Sequence, residues 1–322
     1  MSRTALTIGS FDAVHVGHQR LVRRARELAG GAARVVALAF DPHPAARLRP
    51  GTEPPRLTTF DQRAALLRNA GADLVERLEP TDELLAQTPE VFIRGLVDRF
   101  APAHIVEGPD FHFGRARAGS VRTLHELAPR FNFTCDVVEP ADVVLTDHQI
   151  ARASSTLARF LLARGRVRDL ARVLDRPHEI AGEVVPGDQR GRTIGVPTAN
   201  LRTAQMLPAD GVYAALADAP GSANLPAAVS VGSRPTVNGT GRRLEAHLLH
   251  PDGSPWHPPP GTPDYFWPLR LRLVAWVRDD LRFPSLDALR AQIARDLARV
   301  PSLALDQPPP APTLTTSLGS TA

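Results

Sequence analysis

Apolar positions change their period near the middle of the chain. In the first half, short apolar runs at Ala5–Ile8, Val35–Phe40, Leu74–Arg77, His104–Glu107 and Phe133–Val138 predict strands. Between them lie stretches whose apolar residues recur every three or four positions. The first, Gly17–Ala29, places Leu21, Val22, Ala25 and Leu28 along one helical face. Similar spacing predicts helices near Asp61–Asn69, Pro89–Asp98, Val121–Leu127, Ser155–Leu162 and Val167–Leu174. Strands alternating with helices in this way imply a parallel sheet covered on both faces. This half ends at Arg176-Pro177.

The second half reads differently. Apolar and β-branched runs at Ile180–Val185, Val212–Ala217, Ala227–Val231, Leu244–Leu249 and Leu269–Val277 are separated by Gly, Pro and Asn, a pattern of antiparallel barrels and sandwiches. A closing helix at Leu286–Leu297 carries Leu286, Leu289, Ile293 and Leu297 on one stripe. Residues 250–268 hold seven prolines in nineteen positions and predict a long excursion between strands. The tail after Pro301, rich in Pro, Ser and Thr, reads as disordered. The expected organisation is therefore one domain over 1–176, a second over 177–300, and a disordered tail over 301–322.

Composition narrows the partners. The 322 residues carry 38 basic and 34 acidic side chains, and every basic one is Arg. Any phosphate clamp must then use Arg, His, backbone N–H groups, helix N-termini or metal ions. No dense basic run interleaves with aromatics, so nucleic acid is not an expected partner. No apolar run reaches the length of a membrane span, and the N-terminus lacks the pattern of a signal peptide. A soluble, cytoplasmic protein is expected. The single Cys135 excludes an internal disulfide and reads as a small buried residue.

Two stretches carry candidate chemistry. The first predicted strand runs into Gly9-Ser10-Phe11-Asp12-Ala13-Val14-His15-Val16-Gly17-His18 and then a helix. His15 and His18, three apart at a helix start, can point toward one spot where free N–H groups and the helix dipole favour an anion. Gly9 permits a sharp turn, Gly17 a close approach of ligand to backbone, and a triphosphate is the expected occupant. The same histidine pair also suits simple capping, and spacing alone leaves that open. In the second half, Gly187, Gly191 and Gly195 precede Pro197-Thr198-Ala199-Asn200-Leu201. Glycines here suit a backbone phosphate cradle, although such turns commonly only shape a barrel. On an extended chain the Thr198 hydroxyl and Asn200 amide share one side, a geometry suited to a metal ion between nucleotide phosphates.

A family resemblance runs through both halves. Phe11-Asp12, His15 and Gly17-His18 resemble the H-x-G-H signature of nucleotidylyltransferases. Phe40–Pro44, Leu57-Thr58-Thr59, Gly108–Arg115 and Ser154-Ser155-Thr156 with Arg159 resemble the adenylyltransferase half of bacterial FAD synthetases. Pro197–Leu201 resembles the riboflavin kinase signature, and the likeness continues through Gly211-Val212-Tyr213, Val231–Thr236, Leu244–Leu249 and Arg278 with Phe283.

This resemblance implies an α/β Rossmann-like nucleotidylyltransferase domain followed by a small antiparallel β-barrel riboflavin kinase domain with a C-terminal helix. Riboflavin, FMN and ATP would be the substrates, with Mg2+ on the nucleotide. By resemblance, His15 and His18 stabilise the transferring phosphates, and Gly9, Phe11, Asp12, Gly17, Ser154, Ser155, Thr156 and Arg159 form the first nucleotide site. Asp110 and Phe111 lie toward the flavin. In the barrel, Gly187, Gly191, Gly195, Thr198 and Asn200 hold ATP and metal, Glu245 is the general base, and Arg234 contacts flavin. The chain departs from the family at Ala13 (commonly Gly), Leu157 (commonly Arg), Ser230 (commonly Asn), Ser233 (commonly Thr) and His250-Pro251 (commonly Asp-Phe). The excursion after His250 lies near the expected flavin entrance. Two alternatives stay open: a divergent paralogue that retains one activity or acts on a modified flavin or other nucleotide, and a non-catalytic flavin- or nucleotide-binding protein.

Overall fold

The computed structural model describes residues 3–31, 33–187, 195–236 and 239–305, with the backbone alone at 234–236 and 239–240. These residues divide into two compact units, 3–143 with 150–155 and 144–149 with 156–305.

The first unit runs β1 (Thr4–Gly9), α1 (Val16–Ala29), β2 (Arg34–Phe40), α2 (Pro44–Leu48), α3 (Phe60–Asn69), β3 (Leu74–Leu78), α4 (Asp82–Leu85), α5 (Pro89–Phe100), β4 (Pro102–Glu107), β5 (His112–Phe113), β6 (Gly119–Ser120), α6 (Val121–Phe131), β7 (Thr134–Val137), β8 (Asp142–Val144) and β9 (Ile150–Arg152). Strands β3-β2-β1-β4-β7 form one parallel sheet. Its two faces differ in bulk. Ala5 of β1 and Val35, Ala37 and Ala39 of β2 face α1 and α3. Leu6, Ile8, Val36, Leu38 and Ile105 face α5 and α6. Small residues on one side let α1 lie close to the sheet, where Val22 and Ala25 are fully buried. Thr59 caps α3 in a capping box with Gln62.

Strand order reverses between β1 and β4, the place where open α/β sheets bind ligands. The β1–β2 ladder continues to Gly9↔Ala39, whereas the β1–β4 register ends at Leu6↔Ile105. Beyond that point the Ile8 N–H donates to Glu107 Oε1 at 2.6 Å. Glu107 is 2% exposed, and burial pushes its carboxyl well above the usual range.

The second unit runs α7 (Ser155–Leu162), α8 (Val167–Leu174), β10 (His178–Val185), β11 (Ala199–Arg202), β12 (Gly211–Ala219), β13 (Ser222–Thr236), β14 (Gly239–Leu248), β15 (Pro268–Arg278) and α9 (Leu286–Leu305). By contacts all of α7 but its first residue groups with this unit, as does α8, although both precede position 176. Strands β10-β11-β14-β13-β12-β15 close into an antiparallel barrel. Period-two burial is clearest in β15, where Leu269, Leu271, Leu273, Ala275 and Val277 point inward. Tyr213 is fully buried and its hydroxyl donates to the Ala209 carbonyl at 2.6 Å.

One expectation needs correction. The closing helix does not stop before Pro301; it continues to Leu305. Val300 and Ala304 are fully buried, with Val300 in the apolar cluster of β12 and β15, and this tertiary packing outweighs the lost N–H of the proline. Residues 306–322 of the expected tail lie outside the described residues. Strand β11 falls in a stretch that the apolar pattern left unassigned, because four residues after a proline carry no readable period.

Glu107 yields a test of linkage. A carboxyl raised in the fold contributes stability that is complete below its unfolded value and is lost as pH rises through its folded value. Glu107→Gln removes that dependence. Between about pH 5 and 8, urea unfolding should show the wild type losing stability relative to E107Q, by up to ~1.4 kcal/mol per pH unit. A difference between the two proteins that is flat in pH would contradict the buried neutral acid.

Candidate active sites

The turn from β1 into α1 is left-handed at three non-glycine residues, Phe11 (φ 48°), Ala13 (φ 69°) and Val14 (φ 43°). Each such residue costs about 1–2 kcal/mol, so other segments must hold the turn. The Asp12 carboxylate accepts from Leu57 N at 3.1 Å, Thr58 N at 3.0 Å and Thr58 Oγ1 at 2.9 Å. Thr58 Oγ1 in turn accepts from Ala13 N at 2.9 Å. Ser155 Oγ donates to the Asp12 carbonyl at 2.8 Å, and Arg63 donates to the Ser10 carbonyl at 2.7 Å. Ala13 therefore keeps the conformation for which glycine is the easier residue, with its methyl fully buried.

Held this way, the turn delivers His15 as the N-cap of α1. His15 Nδ1 accepts from Gly17 N at 3.2 Å, so the neutral ring carries its proton on Nε2. The imidazoles of His15 and His18 stack with centroids 3.7 Å apart and planes at 26°. Phe11, 1% exposed, meets His18 edge-on at 5.2 Å. The sequence reading gave Gly17 to the ligand. In the structure His15 itself takes that space: a Cβ at Gly17 would lie 3.0 Å from His15 Cε1.

Ser154 precedes α7, Ser155 and Thr156 open it, and Arg159 lies one turn further on, half-buried. Asp110 is exposed and pairs with Arg152 at 2.7 Å, two residues before Ser154. Phe111 stacks on Phe113 with centroids 5.4 Å apart.

Sequence reasoning assigned no role to the arginines around Asp41. Arg63 (2.5 Å), Arg56 (2.9 Å) and Arg77 (2.9 Å) all meet its carboxylate. Arg63 and Asp41 are both buried, and removing one partner of such a pair typically costs about 3–5 kcal/mol. Scattered over 37 positions, these residues gave no local signal.

The second site lies in the barrel. Cross-strand register sets Asn200 of β11 opposite Val185 of β10 on one side and Glu245 of β14 on the other. Thr198 Oγ1 donates to Glu245 Oε2 at 3.2 Å. Gly187 must be glycine here: a Cβ would fall 2.1 Å from Asn200 Nδ2. Gly195 has φ 82°, a left-handed value that favours glycine. Gly187, Gly195, Thr198 and Asn200 line a cavity of about 380 Å3, together with residues of the proline-rich excursion. Gly191 lies outside the described residues, as does the side chain of Arg234, whose backbone pairs with Gly241. One residue was missed. His247, 3% exposed and two positions after Glu245, holds the Pro197 carbonyl through Nδ1 at 2.7 Å. Burial pushes its imidazole below the ordinary histidine value, so the ring is neutral at pH 7 and its Nδ1 carries the donated proton. Period-two alternation from Glu245 could have flagged it.

A left-handed turn that sets two histidines at a helix start on a parallel sheet, and a Thr-Asn-Glu cluster on a closed barrel, fit the class of two-unit transferases that use nucleotides. Comparison with known proteins makes this class specific. Residues 1–155 match the family model for FAD synthetase and residues 174–303 that for riboflavin kinase. Curated bifunctional riboflavin kinase/FMN adenylyltransferases include one from Escherichia coli (strain K12), 34% identical over 90% of both chains. Another, from Pseudomonas fluorescens, is 36% identical over 92% of both. A solved structure from Streptococcus pneumoniae, titled a macrolide-efflux protein, matches with a TM-score of 0.79 at 26% identity, over 93% of this chain and 94% of that one. The chain belongs to the family of bifunctional riboflavin kinase/FMN adenylyltransferases. Among the described residues no helix is long and apolar enough to cross a membrane.

The left-handed alanine carries its own test. Ala13→Gly relieves the methyl at φ 69° and should stabilise the first unit by about 0.5–1 kcal/mol after the entropy of glycine is counted. Urea unfolding measures it, and a destabilised variant would contradict a strained turn.

Proposed function

We propose that the two sites act in sequence on one flavin, residues 177–300 phosphorylating riboflavin to FMN and residues 1–176 adenylylating FMN to FAD. The single observation that carries the kinase step is the Thr198–Glu245 hydrogen bond with Asn200 beside it across the ladder. Glu245 accepts the proton of the riboflavin 5′-hydroxyl as its oxygen attacks the γ-phosphorus of ATP, and ADP leaves. Its position beside the reacting hydroxyl makes it a base. Thr198 fixes one carboxylate oxygen, and the His247 tether on Pro197 fixes Thr198. The Thr198 hydroxyl and Asn200 amide oxygen are hard oxygen donors, suited to Mg2+ shared with phosphates, where the ion would neutralise triphosphate charge.

In the sheet unit an FMN phosphate oxygen attacks the α-phosphorus of a second ATP and pyrophosphate leaves. His15, with its proton on Nε2, and the stacked His18 donate to phosphate oxygens at the start of α1. Ser154, Ser155, Thr156 and Arg159 serve the same nucleotide, and Asp110 and Phe111 the flavin side. Ser155 and Asp12 do so by fixing the turn. Riboflavin, FMN and ATP are small water-soluble substrates, and we place the chain with them in the cytoplasm.

Separate sites predict separable losses. With riboflavin, ATP and Mg2+, Glu245→Ala should lower FMN formation by at least about 100-fold while sparing conversion of added FMN to FAD. His18→Ala should do the reverse, by about 10–1,000-fold. Chromatography of the flavins reads both, and loss of both steps in each variant would end the two-site reading. His247→Leu should cut the kcat of FMN formation about tenfold. His247→Asn, whose amide N–H can stand in for Nδ1–H, should recover most of it. Equal losses in the two variants would remove the tether from the mechanism.

A further inference from the structure

Glu107 ends β4 at the crevice where strand order reverses, and neither phosphoryl transfer uses it. The β1–β4 register stops at Leu6↔Ile105. Two residues further along β1, the Ile8 N–H donates to Glu107 Oε1 instead of a ladder carbonyl. Ile8 leads directly into Gly9 and the left-handed turn. A Cβ at Gly9 would lie 3.3 Å from Phe11 Cζ, so the Phe11 ring packs over bare backbone there. Phe11 meets His18 edge-on, and His18 stacks on His15. These contacts run without a break from the Glu107 carboxyl to the two imidazoles. In a close-packed interior, a shift at one end of such a path moves the other.

We propose that Glu107 is a positioning residue for adenylylation, holding Ile8 so that the Phe11 ring sets His18. The proposal rests on the adenylylation reading above. The hold depends on protonation. Burial pushes the Glu107 carboxyl well above the usual range. A carboxylate at this depth, with one N–H donor, is poorly compensated, so ionisation turns it toward water and frees Ile8. Its neighbours do not titrate in the same range. On β7, the Cys135 thiol on the same face is pushed up to about 11, chiefly by burial. Asp136 faces the other side, where Arg24 holds its carboxyl low. Strand β1 brings Leu6 and Ile8 to the Glu107 face, and α5 and α6 bring Ile93 and Leu124, all apolar.

The test uses the full chain. Glu107→Met removes the acceptor and should lower the kcat of FMN-to-FAD conversion about 5–10-fold, with FMN formation from riboflavin unchanged. Glu107→Gln keeps an acceptor oxygen and should recover most of that loss. As pH rises from about 5 to 8, the ratio of wild-type to E107Q kcat should fall about 5–10-fold, because only the wild type loses its hold. The two imidazoles are common to both proteins and cancel from the ratio. A wild-type rate in E107M, or a ratio flat in pH, would overturn the proposal. Should E107M fail to fold, the E107Q profile decides alone. Heteronuclear NMR of the His18 ring, assigned with His18→Ala, separates this idea from the adenylylation reading. A His18 signal that follows a titration in the wild type and not in E107Q, in a protein that makes no FAD, keeps the hold and refutes adenylylation. FAD formation with His18 signals alike in the two proteins refutes the hold.

Discussion

The imidazole of His15 lies 3.0 Å from the place a Cβ at Gly17 would take, and the amide of Asn200 lies 2.1 Å from the place of one at Gly187. Both units thus set a polar side chain into the volume that a missing methyl leaves beside the backbone. That placement fixes the side chain by close packing against the backbone. A methyl at either glycine would displace that side chain. Steric exclusion at close packing acts over tenths of an ångström, so it is a sharper constraint than the attraction of charges.

Charge is used around this geometry rather than in place of it. With no lysine in the chain, the positive groups are planar guanidiniums that bind several acceptors at once. Arg63 shows the consequence, reaching the Ser10 and Phe40 carbonyls and the Asp41 carboxylate together. It ties the ends of β1 and β2 while remaining buried. Glu107 ties β1 to β4 on the other side, its carboxyl pushed well above the usual range by burial. The crevice at the reversal of strand order is therefore framed by side chains that replace backbone ladder bonds where the strands diverge.

The departures from the family's usual residues fall into two kinds. Ala13 retains a left-handed backbone because Thr58, Ser155 and Arg63 hold the turn, Thr58 partly through the Asp12 carboxylate. The motif survives at a cost in stability rather than in shape. The excursion at 250–268 is of the other kind. It builds a wall of the barrel cavity from Trp256, Tyr265 and Trp267. Nothing in the structure explains Leu157 in place of arginine.

Period alone determined a helix-covered parallel sheet in the first half and an antiparallel barrel or sandwich in the second, because burying one face of a strand or helix forces apolar spacing of 2 or 3.6. Local chemistry also determined His15 beside His18, and Thr198 with Asn200, since each pair is close in the chain. The meeting of Thr198 with Glu245, the gathering of three arginines on Asp41, and the tether from His247 to Pro197 were decided only by tertiary structure. Those contacts join residues 15 to 50 positions apart through strand register and turn geometry, and a one-residue slip would undo each of them. The helix through Pro301 belongs with them: local propensity ends it, and burial of Val300 and Ala304 carries it on.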